Sequence, residues 1–144
     1  MTRVIFACVH NAGRSQMAAA FFNQMADPAK ATALSAGTEP GQSVHPEVLA
    51  AMREVGVDLS TARPQKLTTE LAAGARHLVT MGCGESCPYL PGLRVQDWPL
   101  EDPKGKSAER VREIRDEVRA RVSRFVEAER WSRPEMRAAT PSTS

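Results

Sequence analysis

The chain has 144 residues, 42% of them hydrophobic and 25% charged, with a formal net charge of +2. That length supports one domain with a sizeable core, and so small an excess of charge argues against nucleic-acid or membrane partners. No stretch approaches the ~18–20 apolar residues of a membrane span. The first apolar run is too short for a signal peptide, which predicts a cytoplasmic protein. In that compartment three cysteines read as reactive or metal-binding groups rather than as structural disulfides.

Val4-Ile5-Phe6-Ala7 reads as a buried strand and Gln16 to Phe22 as a helix. Between them runs Cys8-Val9-His10-Asn11-Ala12-Gly13-Arg14-Ser15, a loop with cysteine at its start and arginine six positions later. A thiol at a strand end therefore faces a turn of backbone N–H groups and a helix N-terminus, both of which attract oxyanions. Arg14 adds a guanidinium fork that can hold two oxygens of one tetrahedral anion. The same positive field favours the Cys8 thiolate, and Ser15 is placed to donate a hydrogen bond to it. His10 is expected to face solvent. The competing structural reading of Cys8 is a small buried residue at a strand end.

Further along, Ala31 to Ala36 reads as a second strand closed by Gly37, and Val44 to Val55 as a helix with Val48, Leu49, Met52 and Val55 at helical spacing. Pro46 suits that helix's first turn and Gly56 its end, while His45 near its start implies no chemistry. A short helix is expected around Thr68 to Leu71. His77 to Met81 reads as a third buried strand and Leu93 to Trp98 as a fourth. A long helix from about Ser107 to Trp131 carries the stripe Val111, Ile114, Val118, Val122 and Phe125. The predicted organisation is a single domain over residues 1–131 and a disordered tail over 132–144. Buried strands alternating with helices argue for an α/β fold: a four-stranded parallel sheet with helices on both faces, a three-layer sandwich of flavodoxin type. In such sheets ligands bind at the carboxyl ends of the strands, where Cys8, Cys83 and Asp102 all fall.

Cys83 and Cys87 lie four residues apart in a loop with Gly82 and Gly84. Three readings stay open: a redox pair that resolves a sulfur adduct at Cys8, half of a metal site lacking further ligands, or two buried thiols. Asp102, before Pro103, is a candidate general acid or an ordinary Asp-Pro turn. Trp98 either walls the pocket or packs in the core.

With these residues placed, the chain resembles the thioredoxin-coupled arsenate reductases, which share a fold with the low-molecular-weight protein tyrosine phosphatases. The resemblance covers Thr2 to about Val126. It rests on Cys8 through Ala18, on Ser35-Ala36-Gly37, on Thr80 to Cys83 and Cys87-Pro88, and on Asp97 through Lys106. It implies that Cys8 attacks arsenate held by Arg14 and the amides of Val9, His10, Asn11, Ala12 and Gly13. Ser15 would keep Cys8 as thiolate, Asn11 would hold the loop's shape and Asp102 would protonate the departing oxygen. Cys83 would then attack Cys8, releasing arsenite, and Cys87 would attack Cys83, leaving a disulfide for thioredoxin to reduce. The resemblance implies no metal and no cofactor; the carboxylate that some members use for a potassium ion falls here at Ala19. Alternatives are a phosphotyrosine or small-ester phosphatase, a reductase served by mycothiol or bacillithiol, and an oxyanion sensor without catalysis.

Overall fold

The structure, a computed structural model, describes residues 1–81 and 92–134. The segment holding Cys83 and Cys87, and the tail beyond residue 134, lie outside the described residues. Four strands, β1 (Thr2–Cys8), β2 (Ala31–Gly37), β3 (His77–Thr80) and β4 (Arg94–Asp97), form one parallel sheet in the order β2-β1-β3-β4. The helices are α1 (Arg14–Met25), α2 (Pro46–Arg53), the single turn α3 (Thr69–Ala72) and α4 (Ala108–Ala128).

Alternation along β1 divides the core. Val4, Phe6 and Cys8 join α1, α2 and α4 in the larger cluster, with Met17, Phe21, Phe22, Met52, Ile114 and Val118. Ile5 and Ala7 face the other way, against Ala36, Leu67, Ala72 and Leu78. β1 is thus apolar on both faces, as a central parallel strand must be. Each fully buried side chain such as Phe6, Phe21 or Phe22 contributes about 1.5–3 kcal/mol by leaving water. The stripe predicted on α4 is the face that is buried. Glu54, just past α2, ties that helix to α4 through Arg112 and Arg115; the Arg112 hydrogen bond is the main cause holding its carboxyl near 2, far below the ordinary 4.5.

Two expectations are corrected. β4 is not buried: all four of its residues are exposed, because it is the outer strand of the sheet and its sequence Arg-Val-Gln-Asp is mostly polar. Packing also continues past residue 131, since Ser132 bridges to Ala26 and Arg133 donates to the carbonyls of Asn23 and Gln24.

The topology locates the site. β1 is central, and the chain passes from it to β2 on one side and later to β3 on the other. The loop leaving β1 therefore opens into the crevice where strand order reverses, the ordinary ligand position in such sheets.

Candidate active site

The loop from Cys8 to Gly13 is held by its carbonyl groups. Cys8 O accepts from Thr38 N (3.3 Å), Val9 O from Glu39 N (2.8 Å), His10 O from Gly41 N (2.9 Å), Ala12 O from His45 N (3.0 Å) and Gly13 O from Met17 N (3.0 Å). Asn11 O accepts from Gln16 Nε2 at 3.0 Å. In a trans peptide the N–H points opposite to the C=O of the same plane. Carbonyls turned out into segment 38–45 and α1 therefore turn the N–H groups of Val9 to Arg14 inward. The N–H groups of Val9 to Gly13 have no backbone acceptor among the described residues. This leaves a ring of orphan donors at the start of α1. That helix has no side-chain cap and no acidic residue in its first turn to neutralise its positive end.

Asn11 keeps the ring in shape. It is fully buried and sits in the left-handed region with φ 53°. Its Oδ1 accepts from Gln65 N at 2.9 Å, so its Nδ2 is the end that donates to Ser15 Oγ at 2.7 Å. Ser15 Oγ stands 2.9 Å from Cys8 Sγ. With a lone pair of Ser15 Oγ taken by Asn11, its proton is free to point at the sulfur. Cys8 itself is 3% exposed at the end of β1.

Arg14 and Asp102 close the pocket. Arg14 is buried, and its Nη1 donates to Leu100 O at 2.8 Å. Its Nη2 lies 3.9 Å from Asp102 Oδ2. Asp102 is 49% exposed in its side chain, yet buried neighbours fix it. Leu100 enters the core, and Pro103 sits where a Cβ on Gly13 would come within 2.9 Å of its Cγ. Asp102 Oδ1 also accepts from Lys104 N at 3.0 Å, so the Asp-Pro turn and the pocket position are both realised.

Cys8, His10, Ala12, Gly13, Arg14, His45 and Asp102 line one small cavity. Of the residues expected at the site, Cys8, Arg14, Ser15, Asp102 and the loop from Val9 to Gly13 are brought together. Cys83 and Cys87 lie outside the described residues. His10 is exposed as expected, with Nδ1 bonded to Glu39 O at 3.0 Å. Trp98 is absent from the lining and packs on Phe6 and Phe125 at 5.6 and 5.9 Å between ring centroids. The cavity also takes in His45, whose local position before Pro46 signals only a helix start.

Residues 3–133 match the low molecular weight phosphotyrosine protein phosphatase family. The chain belongs to that family. A Halobacterium salinarum protein assigned provisionally as an arsenate reductase is 39% identical over 125 residues, covering 84% of this chain and 88% of its own. A glutaredoxin arsenate reductase of Synechocystis is 34% identical over 129 residues, 88% of this chain and 97% of its own. Among solved structures, a thioredoxin-dependent arsenate reductase of Corynebacterium glutamicum superposes with a TM-score of 0.76 at 37% identity, covering 89% of this chain and 61% of that one.

Proposed function

We propose that this chain reduces arsenate to arsenite for arsenic detoxification. The observation that carries the reading is Cys8 Sγ, 2.9 Å from Ser15 Oγ, at the floor of a pocket lined by Arg14 and Asp102. A sulfur facing inward amides and a guanidinium is suited to attack the central atom of a tetrahedral oxyanion. The cysteine pair at 83 and 87 and the relatives named arsenate reductase favour arsenate over a phosphate ester.

In the proposed sequence the Cys8 thiolate forms a bond to arsenic, and one arsenate hydroxyl takes a proton from Asp102 and leaves as water. The Cys83 thiolate then attacks the Cys8 sulfur. The S–As bond breaks, its electron pair passes to arsenic, and arsenite leaves. Cys87 next attacks Cys83, freeing Cys8 and forming the Cys83–Cys87 disulfide. A dithiol, with thioredoxin proposed, reduces that disulfide.

The phosphatase alternative uses Cys8, Arg14 and Asp102 equally well and needs neither later cysteine. The test is therefore a pair of assays on wild type and Cys83→Ser. One follows arsenate-dependent NADPH oxidation with thioredoxin and its reductase; the other follows p-nitrophenyl phosphate hydrolysis. The reading expects Cys83→Ser to abolish the first while sparing any activity in the second. Sustained arsenate turnover by Cys83→Ser would overturn the relay. Turnover with glutaredoxin but not thioredoxin would reassign the reductant.

A further inference from the structure

We propose that His45 is an oxyanion-binding residue of this pocket, with its imidazole donating a hydrogen bond to an oxygen of the bound anion from the α2 side. The inference rests on reading the cavity as the oxyanion site. His45 lines it together with Cys8, Arg14 and Asp102. The residue is held firmly. Its backbone N–H donates to Ala12 O at 3.0 Å, its carbonyl accepts from Val48 N and Leu49 N at 3.0 Å each, and Pro46 occupies the first position of α2. The ring's Cδ2 lies 3.7 Å from the position a Cβ on Gly13 would take, so the imidazole sits against the loop itself.

Among the described residues its ring nitrogens are uncommitted. His45 precedes α2 without capping it, and no hydrogen bond engages the ring among the described residues. The other polar groups at the cavity are already partly spent. Arg14 gives Nη1 to Leu100 O, His10 gives Nδ1 to Glu39 O, and Asp102 Oδ1 accepts from Lys104 N. Glu47, the acidic residue in the first turn of α2, takes the N–H of Gly105 at 3.4 Å. A multiply charged oxyanion beside the Cys8 sulfur would be met by the inward N–H groups of the loop and by one cation, the Arg14 guanidinium. A half-buried imidazole with a free N–H supplies the next donor, and a hydrogen bond to a charged group is stronger than one between neutral groups.

The experiment compares wild type, His45→Leu and His45→Gln, with inorganic phosphate as the probe in calorimetry and arsenate in the coupled assay. Thermal melts confirm that each variant is folded. Leucine fills the space without a donor, whereas glutamine restores one. His45→Leu is expected to weaken phosphate binding and raise the arsenate KM by roughly tenfold with a smaller change in kcat, and His45→Gln to recover most of that loss. Equal affinity in all three proteins, or equal loss in both variants, would overturn the role of His45. If wild type binds phosphate and the variants follow the expected order without arsenate turnover, the His45 assignment stands and the reductase reading falls. If wild type binds no phosphate, the oxyanion site itself is refuted.

Discussion

Asn11 Nδ2 sits 2.7 Å from Ser15 Oγ, and Ser15 Oγ sits 2.9 Å from Cys8 Sγ. One buried amide thereby sets the direction of the hydroxyl that faces the Cys8 sulfur. Ser15→Ala removes that donor and leaves Asn11 Nδ2 unpaired. The rate of Cys8 arsenylation in single-turnover experiments is expected to fall about 10–100-fold, the worth of a hydrogen bond to a charged group. The unpaired amide should cost about 1–3 kcal/mol in denaturant unfolding. An unchanged single-turnover rate would remove Ser15 from the chemistry.

Arg14 both holds Leu100 O and points its remaining nitrogens toward the pocket. Lysine can be a point charge but cannot satisfy the carbonyl and grip two oxygens together. Arg14→Lys should therefore lower kcat/KM by ~100-fold or more, about 3 kcal/mol of lost transition-state binding. Steady-state kinetics with arsenate checks this.

Gly37 has no room for a side chain. A Cβ there would stand 2.6 Å from Val9 O and 3.0 Å from Asn11 N. These are backbone atoms of the loop, so the loop must move. Gly37→Ala is expected to destabilise the fold by about 1–3 kcal/mol and to weaken phosphate binding. Gly41→Ala meets nothing closer than 3.9 Å and serves as the control, with stability expected within about 0.5 kcal/mol of wild type.

His77 begins β3 and lies against Phe125 and Trp131, with ring centroids 5.6 and 5.4 Å away. Burial is the main cause pushing its pKa below the ordinary 6.5, with Arg94 and Arg76 acting the same way and Glu129 opposing them. The unfolded chain then binds the proton more readily than the folded one. Stability should be full above pH 6.5 and decline as pH falls below it. Thermal melts between pH 7.5 and 5.5 should show this slope in wild type and a shallower one in His77→Phe, given that about one pH unit on either side spans most of a titration.

Much of this was legible in the sequence because its causes are local. Apolar runs four to seven residues long specify buried parallel strands, and Val111, Ile114, Val118, Val122 and Phe125 repeat with the helical period that later faces the sheet. The Cys8–Ser15 loop was readable for the same reason: strand, turn and helix follow one another within a few residues. β4 misled because a short run with Val95, next to the buried Trp98, looks buried until its place at the sheet edge is known.

The amino-acid order by itself determined the chemistry available: a thiol, a turn of amides and a guanidinium, packed within eight residues where a strand gives way to a helix. Only the tertiary structure decided which distant groups join them. Asp102 reaches the pocket because Leu100 and Pro103 are buried on either side of it, and His45 because Ala12 O captures its backbone N–H. Contacts between segments 30–90 positions apart depend on how sheet order and helix packing fold the chain back on itself, and no local pattern encodes that return.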